Sequence, residues 1–183
     1  MTISVQEAEQ VLKEAECLFD ENEVEEAISL MAENITLKLK GRNPLILTVM
    51  NGAVVIAGKL LTQLDFPLEH DYIHVSRYRG ETSGDKLNWL TKPHSALAGR
   101  DILILDDILD EGPTLKAIIQ YCHEMGAEHV YSAVLVLKVH DRNVGVEADF
   151  VGIEAPDRYL FGYGMDYKEY LRNAAGIYAV KGM

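Results

Sequence analysis

Residues 101–114 read Asp-Ile-Leu-Ile-Leu-Asp-Asp-Ile-Leu-Asp-Glu-Gly-Pro-Thr. The apolar run 102–105 describes a buried strand, and the adjacent carboxylates Asp106 and Asp107 stand where that strand should end. Asp110 follows after two more apolar residues. Gly112, Pro113 and Thr114 then open a helix expected over residues 115–125. Such a segment sets acceptors for hydroxyls or metal beside the backbone N–H groups of a helix N-terminus, where an anion is favoured. The combination suggests a phosphorylated sugar as ligand.

A similar strand, glycine turn and helix precede this segment. Pro44 introduces the apolar run 45–50, Asn51-Gly52 is a turn signal, and residues 53–64 read as a helix. Further strands are expected over 71–78, 130–139, 149–154 and 176–180, with 159–165 a short strand or loop. Two amphipathic helices are expected before them. One covers residues 5–18, capped by Ser4 with Glu7 three residues on, and the other runs through Val24, Ala27, Ile28, Met31 and Ile35 to end by Gly41. Residues 167–173 read as a helical turn or two, and residues 79–99 as a long polar loop. Strands alternating with helices imply an α/β fold with a mostly parallel twisted sheet covered by helices. Its ligand site belongs beyond the carboxyl ends of the strands, where residues 51–52 and 106–114 share a crevice.

The chain has 183 residues, enough for one domain that buries roughly 70% of its unfolded surface. Its longest apolar runs are too short to span a bilayer, and residues 1–10 lack the basic flank and apolar centre of a secretory signal. Cys17 and Cys122 lack metal-ligand spacing and read as reduced thiols of a cytoplasmic protein. The net charge of −12 argues against a nucleic-acid or anionic-membrane surface. Much of that acidity, from Glu7 and Glu9 through Glu33, reads as the solvated face of the first helices.

One acidic residue after a strand is ordinary loop chemistry; three within five positions are not. Asp-Asp-x-x-Asp also occurs in isoprenoid synthases, but there it needs a long helix to put positions i and i+4 on one face. The apolar run, glycine and proline here argue for strand and turn. The segment instead resembles the 5-phosphoribosyl-1-diphosphate (PRPP) signature of type I phosphoribosyltransferases. Residues 149–172, Asp-Phe-Val-Gly-Ile-Glu-Ala-Pro-Asp-Arg-Tyr-Leu-Phe-Gly-Tyr-Gly-Met-Asp-Tyr-Lys-Glu-Tyr-Leu-Arg, resemble the purine-binding region of hypoxanthine-guanine phosphoribosyltransferases. Residues 49–53, Val-Met-Asn-Gly-Ala, resemble that family's diphosphate loop. The resemblance runs from about residue 45 to the C-terminus.

The resemblance implies a type I phosphoribosyltransferase fold in a single domain over residues 1–183. Its core would span about 40–150, with a small hood built from about 1–20 and 155–183. The implied reaction moves the phosphoribosyl group of PRPP to N9 of a purine and releases diphosphate. Met50, Asn51 and Gly52 would hold the diphosphate, joined by Arg172. Asp106 and Asp107 would meet the ribose hydroxyls and bind Mg²⁺, with Asp166 holding a second Mg²⁺ through water. Asp110 is implied as the catalytic base at purine N7/N9. Glu111, Gly112, Pro113 and Thr114 would cradle the 5′-phosphate, although Glu111 brings a negative charge and Pro113 lacks an N–H. Lys138 would donate to the purine O6, Tyr159 stack on the ring, and Leu160 and Asp166 complete the purine site. Ser76, Arg77 and Tyr78 would begin a mobile lid that includes Arg79 and reaches Lys92.

A cytoplasmic purine-salvage enzyme results, converting hypoxanthine to IMP and guanine to GMP with Mg²⁺, as a homodimer or homotetramer without nucleic-acid or membrane partners. Two alternatives stay open on the residues alone. One keeps the PRPP site and changes the base to xanthine or adenine, the second of which Lys138 disfavours. The other is a nucleotide-sensing, RNA-binding regulator on the same fold.

Overall fold

A computed structural model describes residues 3–77 and 87–183. Helix α1 (Val5–Glu14) is capped by Ser4, whose side chain accepts from the Glu7 N–H at 3.1 Å. It ends sooner than its periodicity implies, because Ala15 turns extended and Glu16–Asp20 form strand β1. Leu18 sits one heptad after Val11, so helical spacing and a short strand are indistinguishable there by pattern alone. Asp20 starts helix α2 (Glu21–Leu39) through a reciprocal capping box with Glu23, satisfying two backbone donors at once.

Strand β2 (Leu45–Met50) leads to helix α3 (Val54–Leu60) and a 3₁₀ turn, Leu61–Gln63. Strands β3 (Glu69–Arg77), β4 (Leu87–Thr91) and β5 (Asp101–Leu109) follow, then helix α4 (Pro113–Glu124). Strands β6 (His129–Val139), β7 (Phe150–Pro156), β8 (Leu160–Phe161) and β9 (Gly176–Ala179) complete the chain. One sheet has the order β4-β3-β2-β5-β6-β7, parallel except for β4, and a smaller antiparallel sheet has the order β1-β9-β8.

Three further expectations need correction. Residues 87–91, read as loop, form β4, because Trp89 has a partner to pack on: the Tyr121 ring lies 4.8 Å away. Strand β5 does not end at Leu105 but continues through both carboxylates to Leu109. Residues 167–173 form no helix. Tyr167 and Tyr170 exchange backbone hydrogen bonds of 2.8 and 2.9 Å, and Lys168, Glu169 and Leu171 take positive φ. Tyr167 and Leu171 share helical spacing, but they earn it as turn residues packed on Phe161 and Val180. Tyr78 and Arg79 of the expected lid lie outside the described residues.

Alternation along the central strands splits the core into two layers. Ile46, Leu103, Leu105 and Leu135 pack with Val24, Ile28 and Ile35 of α2 and Ile56 and Leu60 of α3. Leu45, Leu47, Ile102 and Ile104 pack with Leu115, Ile118 and Cys122 of α4. A strand buried on both faces needs such an unbroken apolar run, as residues 102–105 supply. Burial raises the Cys122 thiol to about 11, so it acts as a small apolar side chain. The acidic residues of the first third are exposed apart from Glu25, which accepts from the Tyr163 hydroxyl and pairs with Lys59, both at 2.5 Å. Among the described residues no helix is long and apolar enough to cross a membrane.

Asp71 anchors the segment after β4. Its carboxylate accepts from the backbone N–H groups of Tyr72, His94 and Ser95 at 2.7, 2.7 and 2.8 Å. Burial alone would raise its pKa, but the donors from Ser95, Tyr72 and His94 outweigh it and hold the carboxyl below the usual range. A lowered folded pKa adds stability that is complete above the ordinary aspartate value, about 3.9, and is lost as pH falls through the folded value. Asp71→Asn is therefore expected to cost about 1–3 kcal/mol at pH 7. Urea melts should show that gap narrowing towards pH 3; a gap of constant size would contradict the assignment.

Candidate active site

The order of the larger sheet places a switch point between β2 and β5. The chain leaves β2 through α3 towards β3 on one side, and leaves β5 through α4 towards β6 on the other. Crevices form where such connections diverge, at the carboxyl ends of the strands. A cleft of about 410 Å³ lies there. Met50, Asn51, Gly52, Ser76, Asp106, Asp107, Asp110, Gly112, Thr114, Asp166 and Arg172 line it, joined by His74 and Glu169. Four separated stretches of sequence thus meet in one cavity.

Alternation along β5 changes phase at its acidic pair. Leu103 and Leu105 belong to one layer, yet Ile108 packs on that same layer and Leu109 on the other. Asp106 and Asp107 occupy the step and both line the cleft. Asp106 is buried, and its burial and the neighbouring Asp107 charge push its carboxyl well above the usual range. Asp107 is raised by burial too, with Arg172 acting in the opposite direction. Two crowded carboxylates in one cleft make an oxygen donor set suited to a hard divalent cation or to sugar hydroxyls.

Gly52 lies directly on this pair. A Cβ there would fall inside the Asp107 carboxylate, and a Cβ on Gly164 (φ +104°) would fall on the Gly52 carbonyl oxygen. The peptide between Met50 and Asn51 is cis. Arg172 joins the same cluster: Nη1 donates to the Gly164 carbonyl at 2.7 Å and Nη2 pairs with Asp166 at 2.7 Å. Glu169 lies at 3.6 Å from the same nitrogen, so Asp166 is the nearer partner. Asp166 also accepts from the Glu169 N–H at 2.7 Å.

Both awkward positions of the expected phosphate cradle, Glu111 and Pro113, have a physical explanation. Pro113 occupies the first turn of α4, where a helix has no use for its missing N–H. The Glu111 carboxylate accepts from Arg142 Nε at 3.4 Å, so its charge is partnered at the cleft's rim. Gly112 takes φ +94°, and a Cβ there would run into Val146. Positive φ and this close approach together require glycine.

One residue before Glu111, Asp110 sits among three hydrogen-bonding or charged partners. Lys138 Nζ reaches its Oδ2 at 3.0 Å, His140 Nε2 its Oδ1 at 2.7 Å, and Arg142 approaches to 3.9 Å. Burial opposes ionisation, but the hydrogen bonds from His140 and Lys138 win and lower the Asp110 pKa. Lys138, on β6 and nearly buried, also lies 3.5 Å from Asp157. Arg142 grips both oxygens of Asp157 at 2.6 and 3.0 Å, drawing that carboxyl down to about 2. Asp110, His140 and Asp157 bring ligand atoms within 4.8 Å of one another. Lys138 and Arg142 already balance both carboxylates, which makes this an ion-pair cluster and leaves Asp106 and Asp107 as the better cation site.

Tyr159 is half-exposed and meets the Tyr167 ring edge-on at 5.5 Å, while the Leu160 side chain is buried in the core. Sequence reasoning passed over His74, His140, Arg142 and Asp157. Only His74 carried a readable signal, since it and Ser76 alternate on one strand. The others act through tertiary pairing and leave no trace in spacing.

Residues 14–169 match the family model described as a phosphoribosyl transferase domain. A hypoxanthine-guanine phosphoribosyltransferase of Lactococcus lactis is 35% identical over 157 residues, covering 85% of each chain. The bifunctional protein TilS/HprT of Listeria innocua is 36% identical over 157 residues, or 85% of this chain; the match spans 24% of that longer protein. Among solved structures, a hypoxanthine phosphoribosyltransferase of Staphylococcus aureus superposes with a TM-score of 0.85 at 28% identity, covering 91% of both chains.

Proposed function

The chain belongs to the phosphoribosyltransferase family, and from that premise we propose that it transfers the 5-phosphoribosyl group of PRPP to N9 of a 6-oxopurine. Hypoxanthine would give IMP and guanine GMP, with release of diphosphate. The observation that carries this reading is the Lys138–Asp110 pair at 3.0 Å, an ammonium and a carboxylate held together behind the acidic cleft. An ammonium suits a ring carbonyl as acceptor, and a carboxylate suits a ring N–H as donor. A 6-oxopurine offers both on adjoining edges.

In this reading N9 attacks C1′ of PRPP, diphosphate leaves with the C1′–O bonding electrons, and the purine's ring proton passes to Asp110. The transition state has oxocarbenium character, which the carboxylates near the ribose stabilise. Gly112, Thr114 and the N-terminus of α4 receive the 5′-phosphate, with Glu111 and Pro113 shaping the turn. Met50, Asn51, Gly52 and Arg172 receive the diphosphate, and Tyr159 stacks on the base with Leu160 beside it. The crowded pair Asp106 and Asp107 supports a divalent-metal site, and Mg²⁺ is the ion proposed there, with Asp166 proposed to hold a second Mg²⁺ through water. The metal would offset the negative charge of PRPP against an acidic protein. Assembly as a cytoplasmic homodimer or homotetramer belongs to the same reading. Exposed Leu30 and Leu37, seven residues apart on α2, support it.

Lys138→Ala tests the purine assignment. The KM for hypoxanthine is expected to rise about tenfold or more, as for loss of a charge-assisted hydrogen bond, with the KM for PRPP nearly unchanged. An unchanged purine KM would remove Lys138 from the base edge.

A further inference from the structure

His140 is nearly buried, its side chain 5% exposed, and both ring nitrogens are engaged. Nδ1 lies 3.1 Å from the backbone N–H of Arg142, which can only donate. Nδ1 is therefore the acceptor and carries no proton, so the proton of the ring sits on Nε2. That nitrogen faces Asp110 Oδ1 at 2.7 Å and donates to it. The other carboxylate oxygen, Oδ2, is held by Lys138 at 3.0 Å. The two oxygens thus have different partners: an imidazole fixed by the backbone, and an ammonium on a flexible stem.

We propose that His140 is a positioning residue for the base: it clamps Asp110 Oδ1 through Nε2–H and aims Oδ2 at the purine's ring N–H. Arg142, the residue whose backbone N–H sets the tautomer, is itself anchored by its guanidinium on Asp157 and Glu111. The clamp is thereby tied to the loop that carries the phosphate cradle. When a 6-oxopurine draws Lys138 to its carbonyl, Oδ2 loses its resting partner and becomes free to take the ring proton. His140 keeps the carboxylate from rotating as that happens. Proton transfer needs heavy atoms within hydrogen-bond reach, and a carboxylate with one oxygen pinned meets that requirement without a search.

This inference rests on the reading of Asp110 as the base. The test compares steady-state kinetics with hypoxanthine and PRPP for the intact chain, His140→Ala, His140→Gln, Asp110→Asn and the double variant His140→Ala/Asp110→Asn. His140→Ala is expected to lower kcat about tenfold while the KM for PRPP holds, and His140→Gln, whose amide N–H can replace Nε2–H, to recover most of it. In the Asp110→Asn background the alanine change should add little, because the clamp has nothing left to aim. Long-range ¹H–¹⁵N spectra of the unaltered protein should show the Nε2–H tautomer. Normal turnover in His140→Ala, failure of glutamine to rescue, a full further loss in the double variant, or an Nδ1–H ring would each overturn the proposal. If Asp110→Asn turns over normally, the base assignment itself has failed; if it is crippled while His140→Ala is normal, only the clamp has.

Discussion

Asp110→Asn is expected to lower the forward rate by about 10²–10⁴-fold, the usual weight of general base catalysis. PRPP affinity should change little, because the groups proposed for the sugar and its phosphates are on Asp106, Asp107, the α4 N-terminus and the Met50–Gly52 turn. Asparagine preserves shape and volume, yet its amide presents N–H to one of two donors, Lys138 or His140, each now within 3.0 Å. The variant thus loses both a proton acceptor and the arrangement that holds it. Single-turnover rates together with PRPP titration separate the two effects. Near-normal turnover would remove Asp110 from its role.

Gly164→Ala is expected to cause a large loss of a different kind. The residue takes φ +104°, and an added Cβ would meet the Gly52 carbonyl oxygen, a backbone atom with no rotamer to escape into. Positive φ alone costs a non-glycine residue about 1–3 kcal/mol, and the collision adds to it. For a chain of this size the melting temperature should fall by roughly 5–10 °C. Turnover should fall as well, because Gly52 rests on the Asp107 carboxylate and Arg172 donates to the Gly164 carbonyl. A melting temperature within about 1 °C of the original would show that Gly164 does not lie against the Gly52 carbonyl.

The acidic segment was legible because its chemistry is local. Four apolar residues followed by carboxylates, glycine and proline specify strand, turn and helix start without help from the rest of the chain. Two further motifs then fixed the sheet's ligand end. What the sequence hid depends on partners distant along the chain. Strand β1 reads as a continuation of α1 until β9 is there to pair with it. The turn at 167–171 mimics a helix because two apolar residues happen to be four apart. Asp110 was readable as a functional carboxylate, but its tie to His140 spans 30 positions and follows from the pairing of β5 with β6. Glu111 looked wrong for a phosphate cradle until Arg142, on another loop, supplied the missing charge.

The most direct test mixes the protein with PRPP and Mg²⁺ and follows nucleotide formation from hypoxanthine, guanine, xanthine and adenine in turn. Rapid formation of IMP and GMP, stoichiometric diphosphate release and no AMP are expected. Turnover of adenine in preference to the 6-oxopurines, or no nucleotide from any of the four bases, would contradict the proposed transfer to a 6-oxopurine.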